Sequence, residues 1–190
     1  MKLEDDRLPP LDPTLWSDEQ RRHAEEIVSG PRGALLAPFV PLLRSPELMG
    51  HAQRMGEYLR YRSAIGPRLS ELAILVTARE WSQKVEWTIH APIARREGVA
   101  AETVEAIAAG HRPAKLSPEE AVVLDFSQQL HRRRRVDDGT WRAAVERFGE
   151  QGAVDLIGIN GYYAFLAMVM NAARTAGPRS DEPPLADLER

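Results

Sequence analysis

Two stretches of this chain are apolar on so many sides that other helices have to cover them. Over 67–80 (PRLSELAILVTARE), Leu69, Leu72, Ala73 and Val76 recur at helical spacing with Ile74 and Leu75 beside them, which predicts a helix with a broad apolar surface at the centre of a core. Over 150–175 (EQGAVDLIGINGYYAFLAMVMNAART) apolar residues run nearly all round the helical wheel. Its polar ends and the punctuation by Gly158, Asn160 and Gly161 favour a core helix over a membrane span. No segment alternates with the period of a strand, so the expected fold is all-α.

Start and stop signals divide the rest of the chain. Pro9, Pro10 and Pro13 favour an extended arm over 1–16, with Trp16 as its anchor. Ser17 stands where it can cap a helix that ends at Gly30. Four prolines and two glycines over 30–46 predict a packed loop with a short helical turn. Ser45 and Pro46 open the next helix, with Leu48, Ala52, Met55 and Leu59 near one face. A further helix runs from Ser82 as cap to Gly98 as stop, and Pro92 inside it is expected to kink it. A short helix ends at Gly110, and Ser117, Pro118, Glu119 and Glu120 form a strong start for another. Two helical stretches follow VDDG at 136–139. The expected organisation is one helical domain over 17–176 and a flexible tail over 177–190.

Composition narrows the chemistry. A net charge of -3 gives no general attraction to nucleic acid or to an anionic membrane, so a small molecule or another protein chain is the expected partner. The opening MKLEDDRLPPLDP lacks the apolar run of a signal peptide, and a cytoplasmic location is expected. With no cysteine, thiol redox chemistry and thiolate metal sites are excluded, and every catalytic proposal must use oxygen or nitrogen.

Three polar residues share a stripe on the helix after Ser82: Gln83, Glu86 and His90, at i, i+3 and i+7. Glu86 can orient the His90 imidazole and raise its basicity. Gln83 lies at the helix start, where backbone donors favour negative charge. Glu71 sits on the strongly apolar helix before them, where an inward carboxylate is partly desolvated. The bland alternative is a surface pair between Glu86 and His90 worth roughly 0.2 to 0.5 kcal/mol. Trp81 and Trp87 flank the stripe as candidate pocket walls, and Tyr162, Tyr163 and Asn171 are further candidates for a pocket lining or for plain core packing. Arg60 and Arg62 can pair with core acids or meet a substrate carboxylate. The basic run over 132–135 complements a helix end or binds an acidic partner. Neither HExxH nor paired ExxH is present, so no metal is expected.

The stretch RLSELAILVTAREWSQKVEWTIHAPIARREGV resembles the signature region of the carboxymuconolactone decarboxylase superfamily, which includes alkylhydroperoxidase D-like proteins. The peroxidase branch spaces a Glu, two Cys and a His so that Glu71, Gln83, Glu86 and His90 fall at those positions in turn. The resemblance extends over about Trp16 to Thr175, and the form WxSQxEWxxH is similar to a cysteine-free branch. It implies an orthogonal helical bundle of about seven to nine helices, assembling as a homotrimer or homohexamer with its pocket near a subunit interface. With both thiol positions substituted, the implied chemistry is that of a cofactor-free lyase acting on a small carboxylated or lactone-containing molecule. In it His90 carries the proton, Glu86 orients or relays, Glu71 is a second acid or base, and Gln83 donates to an oxyanion. The alternatives are a non-catalytic oligomeric binding protein, or an isomerase or hydratase using the same pocket.

Overall fold

The computed structural model describes residues 6–178 and 180–186, and over these the chain is an orthogonal bundle of helices. In chain order these are α1 (Asp18–Ser29), α2 (Phe39–Leu42), α3 (Pro46–Tyr61), α4 (Gly66–Glu80), α5 (Lys84–Arg96), α6 (Ala101–Ala108), α7 (Pro118–Arg133) and α8 (Asp138–Ala173). A short 3-10 turn, Pro13–Leu15, precedes them.

The core is organised around α4, buried at every position from Leu69 to Arg79. It is enclosed by α5, α7 and α8, with α3 completing the surround. Leu72, Ile74 and Leu75 are wholly inaccessible to solvent. A polar tie holds α4, α7 and α8 in register: Asn160 donates to Ser127 Oγ at 3.0 Å, while Thr77 Oγ1 donates to Asn160 Oδ1 at 3.2 Å. Asn160, which breaks the apolar run in the sequence, is therefore the fastening of that run to its neighbours.

The last long helix contains a true break. Gly149 has φ 69° and ψ 174°, so α8 is two helices that meet end to end at the boundary between the two expected stretches. By length and apolar composition α8 meets the requirement for crossing a membrane, a test that a core helix also passes, and 56% of its most apolar window is buried inside the fold.

The inward face of α3 differs from the one that its large apolar residues suggest. Ala52 and Leu59 are buried, but Leu48 and Met55 are 45% and 48% exposed, and the buried stripe runs through Met49, Gln53 and Gly56 instead. Small residues set this face: a Cβ at Gly50 would lie 2.5 Å from the His23 ring, and one at Gly56 would lie 2.2 Å from the Tyr162 hydroxyl. Neighbouring side chains thus occupy the space over these glycines.

The N-terminal arm, expected to be extended with Trp16 as its anchor, is tied to the bundle at several points. Arg44 donates to the carbonyls of Leu8 and Pro9, Trp16 donates to that of Leu11, and the Arg7 amide donates to Ala173. Within the tail expected to be flexible, Glu182 pairs with Arg95 at 2.7 Å and Leu185 is only 2% exposed, so this segment is packed down. The remainder of the arm and tail, 1–5, 179 and 187–190, lies outside the described residues. Pro92 sits inside α5, which continues to Arg96.

Two helix starts that look alike in sequence differ in structure. Ser117 and Glu120 form a reciprocal capping box, whereas Ser45 makes no side-chain capping bond. Replacing Ser117 by alanine is expected to lower the unfolding free energy by about 1 kcal/mol, and Ser45→Ala by much less. Urea melts of both variants check this, and equal losses would refute it.

Candidate functional site

Glu71 projects from the most deeply buried helix, where an isolated carboxylate would be strongly destabilised. Two neighbouring helices supply the opposite charge. His90 Nδ1 of α5 lies 2.7 Å from Glu71 Oε2, and Arg60 Nε at the end of α3 lies 3.6 Å from Glu71 Oε1. On the other edge of the imidazole, His90 Nε2 lies 3.3 Å from Glu86 Oε2, one turn back on α5. The side chains of Glu71, Glu86 and His90 are each at most 4% exposed. The spacing Glu71, Glu86, His90 therefore folds into a buried carboxylate–imidazole–carboxylate chain rather than a surface pair.

Burial works to discharge His90, but the two carboxylates outweigh it. Glu71 leads through charge and hydrogen bonding, Glu86 adds to it, and together they raise the imidazole from 6.5 to about 9. At neutral pH the site thus holds an imidazolium with both ring nitrogens donating. Glu86 stands in the first turn of α5, where the helix dipole favours its charge. Its second oxygen, Oε1, is buried with no hydrogen-bond partner among the described residues.

Aromatic rings close the site from α8. Tyr163 meets the His90 ring edge-on at 5.1 Å, and Tyr162 meets Tyr163 in the same manner at 5.2 Å. Burial raises the Tyr163 phenol well above its ordinary value, with Glu71 and Glu86 pushing the same way. The Tyr162 hydroxyl is also buried, with no hydrogen bond of normal geometry among the described residues.

The other expected site residues lie apart from this chain of contacts. Gln83 is the N-cap of α5: its Oε1 accepts from the Val85 amide at 2.7 Å, and its Nε2 donates to Asn171 Oδ1 at 2.8 Å. Asn171 in turn donates to the Trp81 carbonyl at 3.1 Å and is exposed. Gln83, Asn171 and Trp81 thus lock the start of α5 to α8. The expected cap, Ser82, instead adopts a left-handed conformation with φ 47° and accepts from Arg79. Trp87 is 2% exposed and faces α6 and the docked tail around Leu185. Arg62 lies over the Tyr58 ring, and Arg132 of the basic run bridges to Glu80 at 2.7 Å. Among the described residues no group of three or more His, Asp or Glu is arranged to hold a metal ion.

Arg32, Gln53 and Gly56 were not legible as site residues. Arg32 Nη1 donates to Gln53 Oε1 at 2.8 Å, and Gln53, Gly56 and Arg60 form one stripe of α3 facing Tyr162. A glycine in a helix and an arginine in a proline-rich loop carry no chemical pattern of their own. The one signal present is the i, i+3, i+7 spacing from Gln53 to Arg60.

Residues 46–129 match the sequence profile of the Carboxymuconolactone decarboxylase family. No curated protein matches the sequence. Two solved structures share the fold. One is an alkylhydroperoxidase AhpD core, an uncharacterized peroxidase-related protein from Ralstonia eutropha JMP134, with a TM-score of 0.74 at 16% identity over 94% of each chain. The other is an uncharacterized peroxidase-related protein from Silicibacter sp. TM1040, with a TM-score of 0.70 at 18% identity over 91% of this chain and 92% of that one. The profile match thus covers 46–129, and the likeness to the two solved structures shows that the chain has the AhpD-like helical fold.

Proposed function

We propose that this protein is a carboxymuconolactone decarboxylase-like lyase that moves protons on a small carboxylated or lactone-containing molecule, and that it works without a thiol. The observation that carries this reading is the buried Glu71–His90–Glu86 chain ending in a Glu86 oxygen with no partner of its own. Both His90 nitrogens are engaged by carboxylates, so the group that meets the substrate is Glu86 Oε1, and His90 is the proton store behind it. Of the two roles expected for Glu86, orienting or relaying, this reading takes the relay and keeps His90 as the proton carrier.

Decarboxylation by such a site is balanced without an added reagent. The bond between the substrate carbon and its carboxylate breaks, carbon dioxide leaves, and the electron pair moves into the adjoining lactone or keto carbonyl. When the carbonyl re-forms, His90 Nε2 passes its proton to the ionised Glu86, whose carboxyl group gives it to the carbon, and His90, left neutral, is recharged by a proton from water. Glu71 stabilises the charged imidazolium before the transfer and after its recharging. The same groups suit an isomerisation in which Glu86 first removes a carbon-bound proton and later returns it.

A cytoplasmic homo-oligomer, trimeric or hexameric, belongs to the same reading. Val154, Ile157 and Met168 are 59%, 42% and 49% exposed along one side of α8, which suits contact with a second copy. Ile157→Glu is expected to shift the mass measured by light scattering toward the monomer; an unchanged mass would remove this face from the interface.

Screening carboxylated lactones and 3-oxo acids for carbon dioxide release, alongside proton–deuterium exchange, tests the activity. Glu86→Gln and His90→Gln should each lower turnover by about 10² to 10⁴ while the helical circular dichroism is kept. Full activity in either variant, or neither reaction with any compound, would sink the proposal. The His90 ring should titrate near pH 9 by nitrogen NMR. Because its folded value is raised from 6.5 to about 9, the stability it contributes is complete below 6.5 and is lost as pH rises through 9. His90→Gln should flatten that part of the stability–pH curve, and an unchanged slope would contradict the raised value.

A further inference from the structure

We infer that Arg32, Tyr162 and Arg60 form an anion-recognition site that seats a carboxylate of the substrate, retained in the product, with its reacting carbon toward Glu86. The inference rests on the preceding assignment of Glu86 and His90 as the reacting pair.

The site is built along one stripe of α3. Gln53 stands at one end and Arg60 at the other, with Gly56 between them. The missing side chain at Gly56 admits the Tyr162 hydroxyl, which sits where a Cβ would come within 2.2 Å of it. Arg32 approaches the Gln53 end, held by its bond to Gln53 Oε1 at 2.8 Å and by the Phe39 ring 5.1 Å beneath its guanidinium. Arg60 approaches the other end, 3.6 Å from Glu71 and stacked over Tyr61. That separation is longer than a normal hydrogen bond, so Glu71 does not engage Arg60 as a close bidentate partner.

Tyr162 is 2% exposed, and its hydroxyl is buried with no hydrogen bond of normal geometry among the described residues. Burial pushes this phenol up to about 12, Arg32 pulls against it through its charge and by approaching within loose hydrogen-bonding reach, Glu86 pushes with it and Arg60 pulls against it. The hydroxyl therefore stays protonated and available to donate, within electrostatic reach of both guanidinium groups and of Glu86. A donor flanked by two guanidinium groups suits a carboxylate, whose two oxygens accept from planar N–H pairs and from O–H together. Glu86 Oε1, another buried atom without a hydrogen-bond partner among the described residues, accepts and cannot serve the same anion. The two ends thus orient a ligand with its carboxylate at Tyr162 and its acidic carbon at Glu86.

Charge also decides which carboxylate is held. Guanidinium contacts stabilise the ionised ground state of a carboxylate and would resist its loss as neutral carbon dioxide. The anchored carboxylate is consequently not the leaving group in a decarboxylation, and the reaction product remains an anion.

Calorimetric titration with formate, acetate, succinate and levulinate, and with methyl levulinate as the neutral counterpart, tests the inference on the full chain. Levulinate should bind at least about tenfold more tightly than its ester, and Tyr162→Phe and Arg32→Gln should each weaken it by about tenfold or more. Tyr162→Phe deletes a hydroxyl that makes no hydrogen bond of normal geometry among the described residues, so its thermal midpoint should be equal to or above that of the parent, which a merely structural hydroxyl would not give. His90→Gln should keep levulinate binding while losing turnover, which separates failure of the anchor from failure of the proposed chemistry. Binding of no carboxylate, equal binding of acid and ester, or undiminished binding in Tyr162→Phe would overturn the assignment.

Discussion

A carboxylate on the innermost helix of a bundle must draw its counter-charge from the helices around it, and Glu71 draws on two of them. His90 reaches it from α5 at 2.7 Å and Arg60 from the end of α3 at 3.6 Å. Those distances fix the register of both helices against α4, because a slip of one residue would turn His90 away and leave a buried charge alone. The surrounding structure holds the same register by other means. Asp155 of α8 accepts from Tyr58 and from the Ala64 amide at 3.0 and 2.7 Å, which pins the turn that follows Arg60. Gln83 and Asn171 pin the start of α5. The apolar core supplies the stability, and this polar frame sets which side chains face each other within it.

Much of this frame was legible in the sequence, and for local reasons. Ser17 and Ser117 cap helices in the expected way, since a hydroxyl three residues before a Gln or Glu satisfies two backbone donors at once. The apolar spacing of 67–80 placed α4 at the centre, and the intervals between Glu71, Glu86 and His90 marked residues that the fold brings together. What stayed hidden depends on contacts distant in sequence. Leu48 and Met55 have the size of core residues, yet α3 turns its glycines inward because His23 and Tyr162 occupy that space. Gln83 shares a stripe with Glu86 and His90, but helix-start geometry turns its amide back onto Val85. The tail reads as polar and proline-rich, and its docking rests on Leu185 and one ion pair with Arg95.

The resemblance to a thiol-bearing branch gives the site a physical contrast. Where that branch would place two sulfur atoms, this chain has an amide that fastens a helix and a carboxylate that completes a proton chain. In this chain the residue at one position fastens a helix and the residue at the other carries charge. The imidazole lies between two carboxylates, which raise its basicity and hold its proton against the cost of burial.

The contact of Tyr162 with Gly56 bears on how sequences of this kind can diverge. A methyl group at position 56 and a phenol at position 162 cannot occupy the same space, so Gly56 cannot gain a side chain while Tyr162 keeps its hydroxyl. In relatives that keep this geometry the two positions should change as a pair, a larger residue on α3 accompanying a smaller one on α8. Wherever such an exchange has occurred, the hydroxyl between the two arginines goes with it, and ligand preference would change in a single inherited step.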